Sequence, residues 1–420
     1  MRENIIIPLS ICVAVLTGCS GKNQTDYDAV PNVIDVEEAF HNRKNITLTD
    51  LGEQVRYIPL ETTDSSVVAV SSLTAMAVTD KFILIGASSV PIKVFDKENG
   101  RYVGQVGQIG NGPEEYPHGT NFMADPITQT IYVRISPTKY QSYDAKGKFL
   151  KTVSWEESAR GTIVAPYFMG DKFFTYVNLP SEHTTVFSYS YDGAGGEKSD
   201  SLPVKGDNKF PGGKPKLVLP LVGAEVLGGK TYLMQFENNK WTYGHQNNNA
   251  YWHLHGELRM KDTFNDTIFA MKDDFRHPVP EIVFHMGKWG GFERYEEAGV
   301  MTDKLIVTRV METEHVVYFN LFQNMYDVDS WLKGRNSLAY AGVYNKATGV
   351  TKIQESAGIE NSLEGLPRFS VYNVSTAGEL VVCYQTETLI EAREKMLSEE
   401  QPEWLKQLQE DDNPVVLLIK

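Results

Sequence analysis

Cysteine is nearly absent. The 420-residue chain has three cysteines, Cys12, Cys19 and Cys383, too few for a disulfide framework. Locally readable catalytic signatures are also missing. There is no G-x-S-x-G elbow, no H-E-x-x-H helix, no Walker loop and no paired C-x-x-C. No cofactor and no metal is therefore expected. Positive charge is in deficit: 40 Lys and Arg stand against 54 Asp and Glu, for a net charge of −14. No Lys/Arg stripe offsets this, so phosphates are repelled and nucleic acid is excluded as a partner. Long apolar runs are lacking too. Ile5 to Thr17, interrupted by Pro8, is too short to span a bilayer.

That short run has another reading. Arg2 precedes it, and Leu16-Thr17-Gly18-Cys19 follows, in the order of a secretory leader ending in a lipobox. Small residues let a peptidase reach the bond before Cys19, and its thiol takes the diacylglycerol. Cys19 is thus the expected lipidation site, with residues 1–18 as signal peptide. One acyl chain holds only marginally, at ~0.8 kcal/mol per buried CH₂; the two or three chains on a lipoprotein cysteine hold stably. Ser20 follows with no acidic residue, which implies the outer membrane, with periplasmic face and cell surface both open. Residues 19–50 are expected to be the lipidated N-terminus and a flexible spacer, rich in polar residues at the start.

Beyond the spacer the chain reads as short apolar or alternating runs separated by Gly, Asn, Asp and Pro. Phe82-Ile-Leu-Ile-Gly, Ile131-Tyr-Val-Arg-Ile, Phe173-Phe-Thr-Tyr-Val and Val316-Val-Tyr-Phe are examples. This pattern predicts many short strands and an all-β fold. A repeat runs through them. Val94-Phe-Asp96, Ser142-Tyr-Asp144 and Ser190-Tyr-Asp192 each lead to a turn and a further strand, so the aspartates recur every 48 residues. Strand, Asp/Gly turn and strand is a hairpin. A period in the forties suits a four-stranded propeller blade. Residues 55–420 number 366, which at that period admits seven blades; insertions between the looser later units leave six as the expectation. Residues 51–420 are thus expected to form one six-bladed β-propeller, although the period alone does not decide between six and seven.

Two segments depart from the strand pattern. Helix formers dominate about residues 388–410, with Leu389, Ala392 and Met396 at helical spacing, and predict a short helical insertion. Phe292 to Ala298 is a weaker helical candidate. The last residues, Val415-Val-Leu-Leu-Ile419, form an apolar strand suited to closing a ring against Val55-Arg-Tyr-Ile-Pro-Leu60. Cys383, within Leu380-Val-Val-Cys-Tyr, reads as a buried structural thiol.

Two stretches could carry a site. Gly107 to Tyr116 superficially resembles a phosphate loop but lacks the following Lys and helix. It reads as an inter-blade loop that could offer Glu114, Glu115 and Tyr116 to a ligand. Trp241 to His255 is the densest polar-aromatic cluster, and Trp241, Tyr243, Trp252, His253 and His255 are its candidates. His253 and His255 would share one face of a strand, but no third metal ligand is near. Flat rings beside amides also suit a sugar. Asp327 and Asp329 read as a solvated acidic pair.

Several segments together resemble the six-bladed β-propeller lipoproteins of Bacteroides-type bacteria, related in fold to NHL-repeat propellers. They are Ile58-Pro-Leu-Glu-Thr-Thr-Asp64, Val94-Phe-Asp-Lys-Glu-Asn-Gly100, Gly107 to Tyr116, Asn265-Asp-Thr-Ile-Phe269 and Asp411-Asp-Asn-Pro-Val-Val416. Glu360 to Phe369 departs from the Asn-Asp and Gly-rich stretch usual there. The resemblance implies a fold and a compartment, and no activity. Two functions are then expected from different classes. One is a membrane-tethered binding or scaffold module for a glycan, peptide or partner protein. The other is a polysaccharide hydrolase or lyase with carboxylates meeting in the central funnel.

Overall fold

The apolar runs pair with their sequence neighbours into antiparallel meanders. In the computed structural model of the chain, the described residues are 32–420, apart from 69–74, 155–165, 178–183, 191–196, 203–213, 228, 247–250, 273–274, 291–302, 326, 328–337, 357, 362 and 364. They form seven sheets. Cys19, the leader, Asp192, Phe292 to Ala298 and Asp329 lie outside the described residues.

Six sheets share one plan, with four strands stepping outward from an inner first strand. We number them I to VI by their inner strands: Ala75–Val78, Phe122–Ala124, Tyr167–Met169, Tyr251–Leu254, Leu305–Glu312 and Asn373–Val374. The outer hairpins explain the sequence repeat. Asp96 Oδ1 accepts from the amides of Glu98 and Asn99 at 2.9 and 3.1 Å. Asp144 Oδ1 accepts from Lys146 and Lys148, both at 2.9 Å, and Asn345 does the same for Ala347 and Thr348 at 3.0 Å. A short side-chain acceptor closing its own turn is what Asp and Asn supply. Gly100 ends one such turn at φ +72°, and a Cβ there would lie 2.0 Å from the Pro59 carbonyl, so no other residue fits.

Neighbouring sheets meet through apolar side chains, and the contacts run in a circuit. Leu84 and Val94 of I pack with Ile131 and Val133 of II. Tyr132 and Tyr140 of II pack with Phe168 and Phe173 of III. Phe174 of III meets Leu258 and Phe269 of IV, and Phe284 of IV meets Val317 and Phe319 of V. Tyr318 of V packs with Leu380 and Val382 of VI. Val381 and Leu418 of VI return to Ile83 and Ile85 of I. Each sheet thereby buries both faces, which a lone blade cannot do.

The seventh sheet is an insertion. Pro215–Val226, Gly229–Phe236 and Trp241–Gln246 form a three-stranded meander between sheets III and IV in sequence. It packs Val226, Leu233 and Tyr243 on Phe264 and Ile306. The repeat does not reveal it, since its strands resemble those of a blade.

The ends of the chain meet. Val55–Pro59 pairs antiparallel with Val415–Ile419, from Val55 opposite Ile419 to Pro59 opposite Val415, as the terminal apolar run implied. Asn413 ties the junction: it accepts from the Val68 amide at 2.8 Å and donates to the Glu61 and Ser66 carbonyls. The spacer expected to reach residue 50 is corrected. Asn32–Asp35 adds a parallel fifth strand to sheet IV, and helices α1 (Val36–His41) and α2 (Leu48–Leu51) follow. Lys44 N donates to Ile353 O at 2.8 Å, and Ile46 N to Gln354 at 2.9 Å. Ile34 and Val36 are fully buried, and that burial holds the segment down as a strap from sheet IV across V to VI. Two short helices, α3 (Thr386–Arg393) and α4 (Glu403–Gln407), stand where the helix formers cluster and bury Leu389 and Leu405 in the core shared by sheets V and VI.

Candidate functional site

The inner strands of all six sheets line one channel of about 490 Å³. That volume lies within the usual range of small-molecule sites. Its wall mixes apolar side chains, such as Met76, Phe122 and Met311, with aromatic ones, Tyr167, Tyr251 and Trp252.

One end of the channel is crossed by hydrogen bonds. His253, on the inner strand of IV, stands between Tyr167 of III and Thr376 of VI. Its Nδ1 lies 3.1 Å from the Tyr167 hydroxyl and its Nε2 3.3 Å from the Thr376 carbonyl. A carbonyl only accepts, so Nε2 carries the proton and Nδ1 accepts from the phenol. Burial holds the His253 pKa below its ordinary value of 6.5, though the Thr376 carbonyl and the Asp125 and Asp80 charges work against it. The ring is therefore neutral, and burial raises the pKa of Tyr167 so that it keeps its proton. Thr376 continues the belt. Its hydroxyl donates to Asp80 of I at 2.8 Å and faces Gln129 of II at 3.3 Å. Trp252 Nε1 donates to Glu312 of V at 2.7 Å, and Lys346 pairs with the same carboxylate at 2.7 Å. Side chains from all six of these sheets thus take part.

The belt commits the groups that chemistry would need. Glu312 is 2 % exposed and is the one carboxylate among the described residues of the channel wall. Asp125 is fully buried and accepts from the amides of Ile127, Thr128 and Gly170. Among the described residues no cluster of three or more His, Cys, Asp and Glu could hold a metal, and no helix is long and apolar enough to cross a membrane.

Residues 31–420 match the family described as a domain of unknown function, DUF4934. The chain belongs to the DUF4934 family. No curated protein matches it. Among solved structures it is similar to a candidate exported protein of Bacteroides fragilis. The two are 17 % identical over 90 % of this chain and 98 % of that one, with a TM-score of 0.57. A DUF4221-family member from Bacteroides vulgatus is 12 % identical over 88 % and 96 % of the two chains, at TM-score 0.48. The WD40 domain of SCAP from fission yeast is 9 % identical over 87 % and 98 %, at TM-score 0.30. The first likeness supports the fold and says nothing of activity.

In this DUF4934 chain the candidates read from sequence separate. Trp252 and His253 line the channel. His255 does not share their strand, which ends at Leu254. It sits in the following turn at φ +50°, exposed and 3.9 Å from Glu314, beside a smaller hollow outside the belt. Trp241 and Tyr243 lie on the inserted sheet, with Tyr243 fully buried. Tyr116 is a core residue. Its hydroxyl donates to Val106 O at 2.6 Å and accepts from Ile92 N at 3.0 Å, and burial pushes its pKa up to about 12. Glu115 closes its own loop by accepting from Gly112 N at 2.8 Å, and the Glu114 carbonyl accepts from Tyr143. None of these three lines the channel. Asp327 keeps company in the structure, since it bears on buried Tyr243. The sequence reading missed Arg134 and Arg309, both on the channel wall. Each is a lone cation in a strand, and only the fold brings them to one space.

Proposed function

We propose that this chain is an exported, lipid-anchored binding module: a six-bladed propeller that takes its ligand into the central channel. The observation that carries this reading is a channel of about 490 Å³ walled by six inner strands, in which the residues of catalytic type are already bound to one another. The circuit of apolar contacts and the pairing of Val55–Pro59 with Val415–Ile419 support six closed blades. The Leu16–Cys19 motif and the similarity to a candidate exported protein support the compartment. The strap places Asn32 to Leu51 in the fold, ahead of the residue 50 at which the spacer was expected to end.

The test is a thermal-shift panel of neutral and acidic glycans and peptides on a soluble chain beginning at Ser20. A ligand that binds only the folded state raises Tm by mass action. At least one ligand should do so, and Ala75→Trp, which narrows the channel at a lining position, should abolish the shift. Silence across the panel, or an equal shift in that variant, overturns the reading.

A further inference from the structure

Among the described residues, the channel wall holds two cations without counter-ions. Arg134 follows the apolar run Ile131-Tyr-Val on the second strand of sheet II, and Arg309 lies on the inner strand of sheet V. Neither guanidinium meets a carboxylate or makes a hydrogen bond among the described residues, while every carboxylate of the belt is engaged. Arg134 stands by the Tyr140 phenol, and Arg309 by those of Tyr318 and Tyr372. Each is half-buried. A cation partly withdrawn from water with no anion beside it is costly, and an anion arriving there recovers that cost. In a chain with a net charge of −14, such cations are not short of possible partners; the fold withholds them.

The two arginines also stand on opposite sheets. In the circuit of six sheets, II and V are three steps apart either way round. Their heights agree as well. Arg134 N donates to Asn121 O, and Asn121 is four residues before Asp125, whose pairing with Thr130 ends the hairpin. Arg309 is four residues before Thr313, whose pairing with Val316 ends the corresponding hairpin. Both therefore sit about 13 Å from the ends of their hairpins, at ~3.3 Å per residue. Tyr251, near the same height on sheet IV, carries a buried hydroxyl with no hydrogen-bond partner.

We propose that Arg134 and Arg309 form an anion site spanning the channel, and that its ligand is a short acidic saccharide whose carboxylates meet the two guanidiniums. Guanidinium forks match carboxylates in geometry. The aromatic wall of Tyr167, Tyr251 and Trp252 offers flat faces to sugar rings, and the volume suits one or two sugar units. The inference rests on the channel being the binding site and adds the class of ligand.

Titration calorimetry with digalacturonate, cellobiose and the dipeptide Glu-Glu tests it, on the wild type and on Arg134→Gln, Arg309→Gln and Ala75→Trp. Digalacturonate should bind the wild type, and cellobiose and Glu-Glu should bind far more weakly. Each Arg→Gln change should weaken digalacturonate by about ten- to a hundredfold, and rising salt should weaken it further. Circular dichroism checks that the variants are folded. Tighter binding of Glu-Glu than of digalacturonate overturns the saccharide class. Binding that Ala75→Trp abolishes but neither Arg→Gln change affects overturns the anion site while leaving the channel as the binding place. No binding of any probe overturns the anion site as well.

Discussion

The Nε2–H of His253 donates to the Thr376 carbonyl at 3.3 Å, joining two sheets that are not neighbours in the circuit. The same ring accepts from Tyr167 at 3.1 Å. His253→Ala removes both bonds and leaves the buried Tyr167 hydroxyl without its acceptor. The expected cost is about 1–3 kcal/mol, read as a lower urea midpoint with an unchanged slope. An unchanged midpoint would show that the belt is ornamental.

Acid should loosen the belt. Burial depresses the pKa of His253 below 6.5, so the unfolded chain binds a proton that the folded chain refuses. Stability from this group is complete above pH 6.5 and falls as pH drops below it toward the lower folded value. Urea midpoints measured from pH 8 to pH 5 should therefore decline below about 6.5 in the wild type. The decline should be shallower in His253→Gln, which cannot titrate. Parallel curves would assign the pH dependence to other groups.

Closure should be a condition of folding. Every residue of Val415–Ile419 is buried, and the strand joins Leu380–Tyr384 on one side to Val55–Pro59 on the other. Ending the chain at Pro414 should abolish cooperative unfolding. Leu417→Ala, at a fully buried site, should cost about 2–5 kcal/mol and still fold. Calorimetry of both variants checks this.

Cys383 should be inert. Burial pushes its thiol pKa up to about 12, so almost no thiolate exists at neutral pH. In the chain beginning at Ser20, where it is the sole cysteine, a thiol reagent at pH 8 should label nothing until urea is added. Cys383 is half-buried against its neighbours, and rapid labelling of the native chain would contradict the desolvation of its thiol.

What the sequence revealed follows from periodicity. Asp96 and Asp144 mark their turns because an Asx acceptor is a local device. The terminal strand was legible because five consecutive apolar residues at Val415–Ile419 have few other uses. Non-local facts were hidden. Tyr116 looked like a rim residue because its neighbours Glu114 and Glu115 are polar, yet its ring packs into the contact between sheets I and II. His253 and His255 looked paired because strand alternation was extended one residue too far, past Leu254 into a turn. The strap at residues 32–51 carries many charged residues and read as spacer, although Ile34, Val36 and Phe40 are buried. Arg134 and Arg309 are 175 positions apart in the chain, and no spacing rule links them.

The central claim is that ligand enters the channel rather than settling on the rim. Hydrogen–deuterium exchange with and without digalacturonate measures this directly. The account predicts added protection in the inner strands, above all Phe122–Ala124, Tyr251–Leu254 and Leu305–Glu312, with the outer strands unchanged. Protection confined to the outer strands or to the inserted sheet, with the inner strands unaltered, would contradict it.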